Sequence, residues 1–351
     1  MEKVIAPDHN VGALRYSQRP AFANLYAVAG RFISVETSAL SLAETFRRYF
    51  AGWHVTPFEP ANNAQPDAII LVHDHGDAPA SPSHLEFFEV AQGGICHTDE
   101  SNYFFESKGA TVRANLGSPP VIEVWPGPPD RPLMPQLIFN AAMTAMRRCG
   151  LFELHAAGLR DQNGSGLLVI GPSGSGKSTL ATQLAAAGWQ YLSDDSLLLY
   201  DDGERVAAHA LRRMFALHDK SFSVSGMADI DSLDTEAVPF DPFKKRFEPH
   251  AVFPDQFVQD CVPTSMFFSR LTQEPDSRAQ RLSPGETMSR LIRMCPWACY
   301  DKPAAQSHLN LLARLARQAS GFELLAGTDL FHDAEFASRF LLAQTGTNAN
   351  Q

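Results

Sequence analysis

The chain lacks any unbroken apolar run of about eighteen residues, so nothing in it reads as a bilayer-spanning helix. Its first residues, Met1-Glu2-Lys3-Val4-Ile5-Ala6-Pro7-Asp8, lack the layout of a secretory leader. Cysteine is scarce, with five in 351 residues at positions 96, 149, 261, 295 and 299. An odd, scattered set fits buried thiols in a reducing, cytoplasmic setting better than a disulfide framework. Positive charge is also in deficit: 29 Lys and Arg stand against 39 Asp and Glu, for a net charge of −10. That balance argues against a general nucleic-acid or anionic-membrane surface. No internal repeat is present. What remains, 44% apolar residues over 351 positions, suffices for sizeable cores in a soluble enzyme.

Punctuation divides the chain. Pro126-Gly127-Pro128-Pro129-Asp130-Arg131-Pro132 reads as a linker. Before it, 1–130 reads as a smaller, β-rich domain that would recognise a substrate. Its first thirty residues read as irregular, Arg31 to Val35 as a strand and Ser41 to Ala51 as a helix. Further strands are expected at 68–72, 85–91, 102–107 and 121–124. After the linker, 131–345 reads as one α/β domain that opens with a helix over Pro135 to Arg148, and 346–351 reads as a frayed tail. His73-Asp74-His75 reads as a surface turn, because two alternating histidines make only half a metal site.

The strongest signal is Gly171 to Ser178, Gly-Pro-Ser-Gly-Ser-Gly-Lys-Ser, the form G-x-x-x-x-G-K-S. The apolar run Gly166 to Ile170 before it reads as a buried strand, and Lys177 to Ala187 after it as a helix stopped by Gly188. A strand turning through glycines into a helix N-terminus aims several backbone N–H groups at one spot, where phosphate oxygens are held with help from the helix dipole. Gly171, Ser173, Gly174, Ser175, Gly176, Lys177, Ser178 and Thr179 are therefore the candidate nucleotide-binding set. Lys177 reaches the β- and γ-phosphates and Ser178 holds Mg²⁺.

Leu192-Ser193-Asp194-Asp195 follows at once, with Asp194 only 17 positions after Lys177. Paired carboxylates at a strand end beside a triphosphate can divide the work. One contacts the metal and the other accepts the proton of an attacking hydroxyl, in an order the spacing leaves open. Asp201-Asp202-Gly203 reads instead as a hairpin turn.

Three segments together, Leu154-His155-Ala156-Ala157-Gly158-Leu159, Gly171 to Ser178 and Trp189 to Asp195, resemble the HPr kinase/phosphorylase family. These are phosphate-loop serine kinases related in fold to PEP carboxykinase. The resemblance implies a phosphate-loop kinase core over about 131–345, with His155 near the phosphates and the acid pair. It also implies phosphate and Mg²⁺ roles for Lys177 and Ser178, and base and metal roles for Asp194 and Asp195. The family's Glu-Ile-Arg-Gly segment downstream of the aspartates is missing here, and the N-terminal third differs, which points away from HPr as the substrate. The chain looks more like divergent members encoded in biosynthetic clusters, some of which resemble kinases of peptide precursors. Lys245-Arg246-Phe247-Glu248-Pro249 is similar to a basic-aromatic-x-Pro segment of such proteins, and makes Lys245 and Arg246 candidates for neutralising the γ-phosphate. Arg212-Arg213 has no motif around it.

The expectation is an ATP- and Mg²⁺-dependent kinase acting on a serine of a peptide or protein, by analogy able to form homo-oligomers. A kinase of free serine or a sugar is the second reading. A nucleotide-binding regulatory subunit that transfers nothing is the third.

Overall fold

The structure, a computed structural model, describes residues 20–59, 65–74, 78–81, 83–90, 94–127, 135–219, 221, 233–238 and 241–346. It is a mixed α/β protein with several sheets. The first half contributes β1 (Phe22–Val28), β2 (Arg31–Thr37), α1 (Leu40–Phe50), β3 (Thr56–Phe58), β4 (Ala68–Val72), β5 (Glu86–Val90), β6 (Gly94–Thr98), β7 (Tyr103–Ser107), β8 (Ala110–Ala114) and β9 (Val121–Trp125). Among the described residues these strands form one sheet in the order β3-β1-β2-β4-β9-β8-β7-β6-β5. β2, β4 and β9 run parallel, and β9 to β5 form an antiparallel meander.

α1 and the helix after the linker, α2 (Pro135–Arg148), cover one face of this sheet. Leu137, Ile138, Ala141, Ala142 and Ala145 of α2 join Val35, Ile70, Val112 and Val124 in one apolar cluster. The helix that follows the linker in sequence thus packs on the sheet that precedes it.

The expectation of irregular chain up to residue 30 is corrected. β1 is a seven-residue strand paired with both β2 and β3. Its hairpin turn, Ala29-Gly30, has two positive φ angles of 45° and 72°. A two-residue type I′ connection requires that geometry, and Asn-Gly or Asp-Gly would have advertised it.

The second half contributes β10 (Phe152–Leu154), β11 (Ala156–Arg160), β12 (Gly166–Ile170), α3 (Lys177–Ala186), β13 (Gln190–Ser193), β14 (Leu197–Asp201), β15 (Val206–Ala210), β16 (Phe215–His218), β17 (Thr235–Val238), β18 (Asp241–Phe247), β19 (Asp260–Cys261), β20 (Pro263–Leu271), β21 (Arg278–Arg281), α4 (Pro284–Met294), α5 (Trp297–Tyr300), α6 (Lys302–Gln318), β22 (Ser320–Ala326), α7 (Asp329–His332) and α8 (Ala334–Gly346). The central sheet has the order β13-β11-β12-β20-β22-β21, and its middle strands β12, β20 and β22 are parallel. Every residue of β12 is buried, as expected of a central strand covered on both faces. On one face Leu180 and Leu184 of α3 pack with Leu167, Val169, Phe267 and Phe322. On the other, Leu291 of α4 and Leu312 and Leu315 of α6 pack with Leu168, Ile170 and Met266.

Two smaller sheets flank this core, β10-β14-β15-β19 and β16-β18-β17. β17 pairs with β18, while 222–232 lie outside the described residues. Most of the linker also lies outside them.

The two halves are joined by a buried ion cluster. The Arg147 Nε of α2 donates to Asp301 Oδ2 at 2.6 Å, and Arg148 Nη2 lies 2.8 Å from Asp301 Oδ1, at the start of α6. The Asp301 side chain is fully buried. Burial opposes its charge, but the two guanidiniums outweigh that and hold its carboxyl below the ordinary 3.8. Removing the carboxylate leaves two buried cations unpaired. Asp301→Ala should therefore cost about 3–5 kcal/mol of stability, read as a lower urea midpoint. A loss under 1 kcal/mol would contradict this account of the joint. The cluster's contribution is present above the ordinary carboxylate range and is lost as pH falls through the depressed value.

Candidate active site

β12 ends at Ile170, and Gly171 to Gly176 carry the chain into α3. The glycines are needed for shape. Gly174 and Gly176 have φ of 80° and 87°, a region most L-residues avoid. A Cβ on Gly171 would lie 2.5 Å from Ser175 Oγ and 2.7 Å from the Ser269 carbonyl oxygen. The neighbouring strand braces the turn, since Ser269 Oγ of β20 donates to the Ser175 carbonyl at 2.8 Å. Gly176 is the N-cap of α3 and makes no side-chain cap, so the helix's first N–H groups receive no capping side chain from it.

Lys177 folds back over this turn. Its Nζ donates to the carbonyls of Gly171 at 2.7 Å and Pro172 at 3.0 Å. Burial lowers its pKa to about 8, against the raising pull of Asp195 and Asp194. Thr179, the last member of the set, is hydrogen-bonded through Oγ1 to Ser221 Oγ at 3.2 Å.

The acid pair lies just beyond β13, and the two members differ sharply. Asp194 is fully buried. Its Oδ2 accepts the Ala216 N–H at 3.0 Å, the Ser178 side chain is near enough to temper its pKa, and its Oδ1 has no hydrogen-bond partner among the described residues. Burial first, and the Asp195 charge second, raise its pKa to about 7. Asp195 keeps 37% of its side chain exposed. His155, at the joint between β10 and β11, places Nδ1 3.2 Å from Asp195 Oδ1. Burial lowers the His155 pKa and Asp195 opposes that shift, so the ring is neutral at pH 7.

The structure therefore brings His155, Lys177, Ser178, Asp194 and Asp195 together. Oxygen donors with one orphaned buried carboxylate oxygen fit a hard divalent cation such as Mg²⁺. Arg212 joins them, with its Nε 3.6 Å from Asp195 Oδ2. No sequence signal marked it, because β14 and β15 intervene before the chain returns. Glu153 is a second carboxyl beside His155. Burial raises its pKa, while a 2.9 Å bond from Ser196 Oγ opposes this.

The basic segment lies on β18, where side chains alternate between faces. Lys245 shares a face with the buried Phe247, and its ammonium sits 3.3 Å from Asp219. Lys244 and Arg246 share the other face. Lys244 is near enough to Lys177 to depress its pKa, and Arg246 to oppose the burial that drives the Tyr49 hydroxyl to about 12. Arg246 is thus in electrostatic reach of the surroundings of Arg212, and Lys245 is turned towards Asp219. In the first half, His73 stacks on Trp125 at 4.5 Å and lies 3.4 Å from Glu123, while His75 lies outside the described residues.

No protein-family model and no curated protein matches the chain. Among solved structures, the Hpr(Ser) kinase/phosphatase from Coxiella burnetii is similar at 12% identity and a TM-score of 0.28, over 55% of this chain and 97% of that one. A likeness at that score carries no argument about fold or function, and the reading of the site rests on its residues.

The raised Asp194 pKa has a measurable sign. The folded chain holds this proton more tightly than the unfolded chain, so Asp194 detracts from stability as pH rises from 3.8 towards about 7. Asp194→Asn is neutral at every pH and nearly the same shape. It should be more stable than the parent at pH 8, by on the order of 1 kcal/mol or more, with the gap shrinking towards pH 5. Urea unfolding at the two pH values measures this. An Asn variant less stable at pH 8 would contradict the assignment of a strained, buried carboxylate.

Proposed function

We propose that the chain is an ATP-dependent kinase that transfers the γ-phosphate to a hydroxyl acceptor, a serine of a peptide or protein. The observation that carries this reading is the division within the acid pair. One carboxylate is buried near Ser178 at the start of α3, and its neighbour is partly exposed beside His155. A loop that only held phosphate would need neither.

In this reading the backbone from Gly174 to Thr179 receives the phosphates, and Lys177 leaves the Gly171 and Pro172 carbonyls to neutralise the β- and γ-oxygens. Ser178 and Asp194, with Asp195 alongside, would hold Mg²⁺, which supplies charge neutralisation at the transferring group when bound. Asp195 accepts the proton of the serine hydroxyl as its oxygen bonds to the γ-phosphorus. The bond from that phosphorus to the β–γ bridging oxygen breaks, and ADP departs. His155, with Nδ1 3.2 Å from Asp195 Oδ1, would orient the carboxylate. The face of β18 bearing Lys244 and Arg246 adds positive charge near Lys177. Lys245 serves Asp219.

Incubation with γ-labelled ATP and a pool of serine peptides, with free serine and sugars in parallel, tests the reading. Label is expected on peptide. Label only on a small molecule would favour the second kinase reading, and tight MgATP binding with no transfer would favour a regulatory subunit.

Asp195→Asn should keep the fold and MgATP affinity while lowering kcat about 100-fold or more, the effect of losing a general base. Near-parental turnover would reduce Asp195 to a polar turn residue. Lys177→Ala should lose MgATP binding by calorimetry, and unchanged affinity would remove the phosphate role of the loop. Lys244→Ala and Arg246→Ala should lower kcat more than they raise KM for ATP, with Lys245→Ala closer to the parent. The reverse ranking would return the role to Lys245.

A further inference from the structure

We infer that Arg212 is a positioning residue for Asp195, and that the N-terminal half of the chain holds Arg212 in place and so forms part of the transfer centre. The inference rests on the kinase reading above for its catalytic meaning, but its geometry stands independently. Asp195 is partly exposed and each of its oxygens faces a basic side chain, Oδ1 the His155 Nδ1 at 3.2 Å and Oδ2 the Arg212 Nε at 3.6 Å. A base that must meet a hydroxyl in line needs that fixed orientation, because a carboxylate free to rotate spends little time in the reactive geometry. The Arg212 Nε is itself buried and makes no hydrogen bond among the described residues. The pair is a charge contact that can tighten when a substrate closes the site.

Arg212 is steered from outside the central sheet. Its guanidinium lies 6.0 Å from the ring centroid of Phe139 on α2. Its backbone forms an isolated antiparallel bridge with Trp53, just after α1. The residues on either side are tied to the same turn. His54 N–H donates to the Leu211 carbonyl at 2.7 Å, Arg213 N–H to the Gly52 carbonyl at 3.2 Å, and Arg213 Nε to the Trp53 carbonyl at 2.7 Å. Trp53 in turn packs edge-on against Phe139 at 6.0 Å. A continuous physical link therefore runs from α1 and α2 through Arg212 to the carboxylate assigned as the base. The first half of the chain is a working wall of the site, beyond any part in choosing a substrate. Sequence distance hides the link, because positions 53, 139, 195 and 212 carry no shared motif.

Two measurements on the full chain test this. The first needs no acceptor. Unfolding in urea is compared for Phe139→Leu, Asp195→Asn and their combination, with Arg212 present and in an Arg212→Ala background. Phe139 and Asp195 should be non-additive by threefold or more in the unfolding constant when Arg212 is present, and additive once it is removed. Additivity in both backgrounds would overturn the link. The second follows transfer from MgATP to the peptide acceptor found in the labelled screen. Arg212→Ala should lower kcat tenfold or more and Phe139→Leu threefold or more, each leaving the calorimetric Kd for MgATP within twofold. Added guanidinium ion should restore part of the Arg212→Ala loss, and Arg212→Lys should be intermediate. Unchanged kcat, or a parallel loss of MgATP affinity, would overturn the positioning role. A parent chain that transfers no phosphate would defeat the kinase reading, while the unfolding cycle still decides whether Phe139 acts on Asp195 through Arg212.

Discussion

The arrangement depends on a buried carboxylate that the fold makes uncomfortable. Asp194 is fully buried, has Asp195 as its neighbour, and leaves one oxygen without a partner among the described residues. Such a group is tolerated by taking up a proton, which is why its pKa rises to about 7. The surrounding elements are built around it. β13 delivers it to the end of the central sheet, β16 supplies the Ala216 N–H, and the first turn of α3 supplies Ser178. Lys177, depressed to about 8 by its own burial, is the matching strained cation. The two groups lower each other's cost only in part. In the proposed reading, a ligand with anionic oxygens and a cation would relieve both groups.

Sequence reasoning reached the parts of this arrangement that are local. The apolar run before the loop, the glycine spacing and the helix behind it are dictated by neighbours in the chain, and Gly166–Ile170 and Lys177–Ala186 fold as those patterns require. The long helix at 135–148 was equally legible from apolar spacing. β1 was missed because its turn uses Ala29-Gly30 in place of the common turn pairs. β6 and β8 were missed because their short strands alternate weakly and depend on the meander around them.

The site's non-local members were beyond reach for a different reason. Arg212 arrives beside Asp195 only after the β14–β15 hairpin returns the chain, and its contact with Phe139 exists only because α2 packs across the first sheet. Nor does spacing show which of three consecutive basic residues faces a phosphate. The alternation of β18, paired with β16, puts Lys244 and Arg246 on one face and Lys245 on the other, which adjacent letters do not show. The different environments of Asp194 and Asp195, indistinguishable as adjacent letters, likewise come from tertiary packing: one is covered by Ala216 and Ser178, the other opens towards His155 and Arg212.

The central claim is that the loop and the acid pair form one phosphate- and metal-handling centre. A crystal structure of the chain with Mg²⁺ and a non-hydrolysable ATP analogue tests it most directly. The account predicts the triphosphate on the backbone of Gly174 to Thr179, Lys177 Nζ moved from the Gly171 and Pro172 carbonyls onto phosphate oxygens, the metal between Ser178 and Asp194, and Asp195 facing the γ-phosphate. An analogue bound elsewhere, or Lys177 still held by the loop carbonyls with Asp194 remote from the metal, would contradict it.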